Sequence, residues 1–180
     1  MKKVIIVLTV FFFLGTLVAS AQPAGKKWEV GASLSYTNYK FKGDTESDYV
    51  FNLPVRVGYY VWQGLEFEPE LLLTKFKGDD TGYILSGNFA YNFKTAGSLQ
   101  PFILAGVGFG NGFAFANIVE GDTDFHATVL NFGGGVKCLV GNSAAIRVEY
   151  RYTHNHLTET GFEAENANIH QLLVGFSVFF

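Results

Sequence analysis

Cysteine is almost absent: Cys138 stands alone in 180 residues, so no internal disulfide can form and stability cannot rest on a disulfide framework. Proline is scarce at four residues and methionine occurs once, beside 21 glycines, 48% apolar and 17% aromatic residues, a mix that is neither disordered nor coiled-coil. Basic charge is short. Residues 22–180 carry 11 Lys plus Arg against 16 Asp plus Glu, a formal charge of −5, which argues against a nucleic-acid partner. Long apolar runs are missing too, apart from one at the N-terminus, so residues after Gln22 offer no transmembrane helix.

That one run, Val4 to Val18, follows Lys2 and Lys3 and precedes Ala19-Ser20-Ala21, the small residues that signal peptidase requires. Residues 1–21 read as a secretory signal peptide cleaved after Ala21, because a run of about 15 residues falls short of the roughly 20 that a spanning helix needs. Residues 22–180 then form one domain.

What fills that domain is alternation with a period of two, the signature of strands. Trp28, Val30, Ala32, Leu34 and Tyr36 oppose Glu29, Gly31, Ser33, Ser35 and Thr37. The pattern recurs around Tyr49 to Tyr59, Leu65 to Leu73, and Tyr83 to Phe93, with Tyr91 and Phe93 on the apolar side. Four more segments follow Pro101: Ile103 to Phe109, Leu130 to Cys138, Ile146 to Tyr152, and Leu172 to Phe180. Eight strands of about 10 residues result, the length a tilted strand needs to cross a bilayer. Short turns near Val61 to Gly64, Lys94 to Gln100 and Gly141 to Ser143 alternate with longer polar connections. Those lie at Lys40 to Asp48, Lys77 to Gly82, Asn111 to Asp124 and His154 to Ala167. The expected fold is all-β, an eight-stranded antiparallel up-and-down transmembrane β-barrel after a cleaved signal peptide, with termini in the periplasm.

A soluble barrel also alternates but turns its apolar face inward. Here the polar face carries Glu29, Arg56, Glu66, Glu68, Glu70, Lys137, Arg147, Glu149 and Arg151 together with most strand glycines, and no charge interrupts the middle of the apolar face. A lipid-facing charge would cost about 2–4 kcal/mol at the midplane, and an aromatic surface in water would aggregate. Trp28 and Trp62 fall at one set of strand ends and Tyr36, Tyr49, Tyr83 and Tyr152 at the other, as in an interfacial aromatic girdle. The five carboxylates and four cations predict a paired structural network filling the lumen. Arg56 is expected near Glu68 or Glu70, and Glu149 between Arg147 and Arg151. An open pore is not expected in so narrow a barrel. Glycosidase chemistry from paired carboxylates is outweighed by structural ion pairing.

Gly106 to Gly110 and Gly133 to Gly135 lack dinucleotide-binding spacing and read as strand glycines. Cys138 has lipid-facing parity, where a thiol acts as a small apolar group. His126, His154, His156 and His170 gather toward the outer rim of consecutive strands, with outward parity. Two histidines at i and i+2 can share a metal ion, but ordinary interfacial histidines near headgroups are the preferred reading, so no metal or cofactor is expected.

Gly175, Val178 and Phe180 resemble the carboxy-terminal signal of outer-membrane barrels, with Leu173 where that signal has a polar residue. The resemblance implies the barrel-assembly machinery as a partner through the segment ending in Phe180. The chain also resembles the lipid A 3-O-deacylases, grouped with bacterial acyloxyacyl hydrolases, and other small porin-family barrels of the opacity type. Gly64-Leu65-Glu66-Phe67-Glu68-Pro69-Glu70, Ala90-Tyr91-Asn92-Phe93, Pro101 to Gly108, Asn131 to Lys137 and Glu149-Tyr150-Arg151-Tyr152-Thr153-His154 through the final strand carry that likeness. It implies a His-x-Ser-Asn motif on the seventh strand, in which serine attacks, histidine is the base, and an acid on the next strand orients it. His154 takes the histidine position, His156 the serine position, Leu157 the asparagine position, and Asn168 the acid position.

The nucleophile and the acid are therefore replaced, and a histidine cannot serve an acyl-serine mechanism. The leading expectation is a non-catalytic structural or surface-interaction barrel in the outer membrane of a Gram-negative-type bacterium. Its surroundings would be outer-membrane lipid and lipopolysaccharide, and the sequence does not identify an extracellular partner. The alternative is lipid A deacylation through His154, with Thr158 as substitute nucleophile and Glu163 or Glu165 as acid.

Overall fold

In the computed structural model the described residues are 25–39, 48–76, 81–111, 126–158 and 165–180. They form eight strands: β1 Trp28–Tyr39, β2 Asp48–Trp62, β3 Leu65–Phe76, β4 Thr81–Asn92, β5 Leu99–Gly110, β6 His126–Val140, β7 Ala144–Thr158 and β8 Glu165–Phe179. Each strand pairs antiparallel with its chain neighbour, and β8 pairs with β1 from Glu29↔Phe179 to Leu34↔Val174, so the sheet closes into a barrel. Closure leaves no sheet edge, which satisfies the backbone without help from solvent. Residues 1–21, read above as an export signal, lie outside the described residues.

Alternation decides which side chains meet in the lumen. On β2 the outward set is Phe51, Leu53, Val55 and Val57, while Asn52 and Arg56 are buried. The β2–β3 turn at Gln63 and Gly64 needs Gly64 in the left-handed region at φ +77°, with the Asn92 carbonyl beside it. A register shift between Tyr60 and Trp62 keeps Tyr60 inside and leaves Trp62 71% exposed.

The strands are 12 or 15 residues long, exceeding the ten or so expected. Pairing continues past the length a bilayer crossing requires. One consequence is that the connection placed at His154 to Ala167 contracts, since β7 runs to Thr158 and β8 starts at Glu165. Phe93 departs from the expected outward face and is only 8% exposed. The reason is local: β4 ends at Asn92, and Phe93 turns away as its N–H donates to the Pro101 carbonyl.

The lumen is layered. At the end bearing the termini, Tyr60, Ala145 and Phe179 cluster with Leu139, and Ala90, Phe102 and Leu104 pack nearby. At the opposite end Ile84, Ala127 and Val129 pack with Leu72. These apolar inward residues interrupt the polar face read from the sequence, and they bracket the charged layer between them.

Candidate functional site

Two constellations stand out, one inside the barrel and one on its outer surface. Inside, β3 projects Glu66, Glu68 and Glu70 at successive inward positions, and β7 projects Arg147, Glu149 and Arg151 in the same way. The two strands face each other across the lumen, so Arg147 grips Glu68 with both terminal nitrogens at 2.7 and 3.2 Å, and Arg151 grips Glu70 at 2.5 and 2.9 Å. Such forked pairs are the strongest carboxylate contacts a guanidinium makes. Glu149 lies between its neighbours, accepting from Arg147 Nε at 2.9 Å and Arg151 Nε at 2.7 Å. Arg56 sits opposite Glu70 in register but reaches it only at 3.6 Å, donating instead to Glu149 at 3.1 Å and Ser33 at 2.9 Å.

Lys137 completes the layer toward the terminal end, with Nζ 2.5 Å from Glu29 and 2.9 Å from Glu66. Oxygens of Glu29, Glu66 and Glu68 converge within 4.8 Å of one another, close enough to surround a cation. The Lys137 ammonium already occupies that role, which makes the cluster an ion-pair site. Arg147 also stacks over Phe102 at 4.1 Å from the ring centroid. Above the Glu70–Arg151 pair a small space is lined by Asn52, Ser86, Asn131, Thr153 and Gln171.

The second constellation lies along the outward faces of β7 and β8. From the end of the apolar band outward, β7 presents Ile146, Val148, Tyr150, Tyr152, His154 and His156, and β8 presents Phe176, Val174, Leu172, His170, Asn168 and Asn166. Both rows pass from apolar through amphipathic to polar, the gradient expected of a surface that crosses from hydrocarbon into headgroups. Register sets His154 opposite Asn168, His156 opposite Asn166, and Tyr152 opposite His170.

The side chains use that register fully. His154 Nδ1 is 2.7 Å from Asn168 Oδ1, which also accepts from the Tyr152 hydroxyl at 2.8 Å. His156 Nδ1 is 2.9 Å from Asn166 Oδ1. The His170 Nδ1 meets the Tyr150 hydroxyl at 2.6 Å. Because an amide oxygen only accepts, His154 and His156 each donate to it from Nδ1–H.

Sequence reasoning set Asn168 down as a lost acid, yet its amide oxygen holds the His154 ring as an orienting group would. Asn166, Tyr150 and Tyr152 were not singled out for it, and only the β7–β8 register could have revealed them. His126 pairs through its backbone with Thr158 on β7, and the side chains of both lie outside the described residues. Glu163 lies outside them entirely, and of Glu165 only the backbone is described, opposite Leu157. Among the described residues no serine or threonine hydroxyl is hydrogen-bonded to His154.

Solved structures with this architecture include Neisserial surface protein A (NspA), with a TM-score of 0.63 and 17% identity over 85% of this chain and 96% of that one. A de novo designed transmembrane β-barrel matches with a TM-score of 0.54 and 13% identity over 90% of this chain and 100% of that one. The outer membrane enzyme PagL gives a TM-score of 0.42 and 19% identity over 83% and 98%. At these identities the first two likenesses show the fold alone. No curated protein sequence matches the chain. Residues 8–180 match the family described as the outer membrane protein beta-barrel domain, and the chain, a closed eight-stranded barrel of the outer membrane, belongs to that family.

Proposed function

We propose that the chain is a non-catalytic outer-membrane barrel whose work is display: a rigid, filled cylinder that holds four connecting segments at the cell surface. Those segments, 40–47, 77–80, 112–125 and 159–164, all join strands at the end opposite the termini, which this reading places in the periplasm. Residues 1–21 serve export and are removed, and the segment ending in Phe180 engages the assembly machinery. The lipid around the outer rim is lipopolysaccharide. One observation carries the non-catalytic reading. His154, held by Asn168, has a second histidine, His156, and not a hydroxyl at the next outward position, and an ester-cleaving triad needs a nucleophile within hydrogen-bond reach of its base.

The hydrogen bond from His154 to Asn168 favours a second reading, lipid A deacylation with His154 as base, Thr158 as nucleophile and Glu163 as acid. Mass spectrometry of lipid A from cells expressing the barrel separates the two. Display predicts identical lipid A masses with the native chain and with His154→Ala. Loss of one hydroxyacyl mass with the native chain, restored in the variant, would replace display with hydrolysis.

A further inference from the structure

We infer that the outer rim of β7 carries a binding site for a divalent transition-metal ion of the zinc or copper class, held by Nε2 of His154 and Nε2 of His156. Three observations converge. First, the two residues occupy successive outward positions on one strand, roughly 6.7 Å apart along the backbone, a span that two imidazoles can close around one ion at metal–nitrogen distances of about 2.0–2.1 Å.

Second, both rings are held the same way. Each donates Nδ1–H to an asparagine Oδ1 directly across on β8, at 2.7 Å from Asn168 and 2.9 Å from Asn166. Metal-binding histidines characteristically give their other ring N–H to an oxygen acceptor, which fixes the tautomer and raises the basicity of the ligating nitrogen. Here that outer support is built twice over on adjacent rungs. Third, among the described residues neither Nε2 has a hydrogen-bond partner, with His156 exposed and His154 half-buried at the rim.

His170 supplies the internal contrast. Its Nδ1 meets a tyrosine hydroxyl, and its ring lies against Tyr152 at 5.1 Å between centroids, the behaviour of an ordinary interfacial histidine. The donor set, imidazole nitrogen without carboxylate, selects zinc or copper(II) over magnesium or calcium.

Copper(II) added to the barrel, purified from outer membranes without a polyhistidine tag, provides the test. Electron paramagnetic resonance is expected to show one bound ion per chain with nitrogen couplings from two imidazoles. His154→Ala and His156→Ala should each remove one coupled nitrogen and weaken binding. Asn166→Leu and Asn168→Leu should weaken it about 10- to 100-fold with both nitrogens retained, and His170→Ala should change nothing. Heat-shifted gel mobility confirms that each variant is folded, as expected for substitutions on the outer surface. No binding at millimolar copper would overturn the inference, and so would binding that survives loss of both His154 and His156. Neither result bears on display, which the lipid A masses test separately.

Discussion

Arg147→Met is expected to destabilise the barrel by about 3–5 kcal/mol, the cost of breaking a buried ion pair by removing one partner. Arg147 is fully enclosed and serves two carboxylates at once: Glu68 through both terminal nitrogens, and Glu149 through Nε at 2.9 Å. Without it, five lumen carboxylates face three cations in an interior that water cannot enter freely. Methionine keeps much of the volume against Phe102, so the loss reports charge and not a cavity. Removing Glu68 as well, as Arg147→Met with Glu68→Met, returns the lumen to its original imbalance and should recover a large part of the loss. The two substitutions should therefore deviate from additivity by about 0.5–3 kcal/mol. Denaturant unfolding in lipid vesicles, followed by tryptophan emission and gel mobility, measures both quantities. An Arg147→Met barrel as stable as the parent would mean that the charged layer does not hold the structure together.

The second large effect belongs to the outer surface. Val136 is 36% exposed and lies in the aliphatic stretch of the outward face, between Pro101 and Val148 in register. Val136→Arg, on β6, should cost about 2–4 kcal/mol in a bilayer, because it places a charge within the hydrocarbon layer and near its midplane. Thr128→Arg, on the same face of the same strand but beside His156 at the rim, should cost about 0–1 kcal/mol. The depth dependence is the diagnostic. If both variants unfolded at the parent's denaturant concentration in vesicles, that face would not be the one that meets lipid.

Much of this fold is legible in the residues themselves. Period-two alternation needs no tertiary knowledge, and a closed barrel keeps it along the strands, the β2 bulge before Trp62 excepted, so the number of strands and the face that holds the charges follow directly. Local neighbours on one face are equally readable: Arg147, Glu149 and Arg151 stand at i, i+2 and i+4. Their partners Glu68 and Glu70 are not, because β3 and β7 meet only across the lumen of a closed cylinder, at a height set by the stagger of all the intervening strands.

The apolar layers at the two ends escaped the pattern for another reason. Ile84, Phe102, Leu104 and Val129 are inward residues of apolar type, and a polarity-based reading of the inner face passes over them. Phe93 was misplaced because parity holds only while the strand lasts, and β4 stops one residue earlier. At the rim, the histidines were visible but the asparagines that orient them were not. A side chain on β8 becomes meaningful only when the register names the residue opposite.

The lumen is closed by its own side chains, with apolar clusters at both ends and a paired charge layer between them. Single-channel recording in planar bilayers addresses it most directly. A filled lumen predicts that insertion of the purified barrel, verified by its folded gel mobility, produces no discrete conductance steps. Stable, reproducible openings from the folded native chain would contradict it and make the barrel a pore.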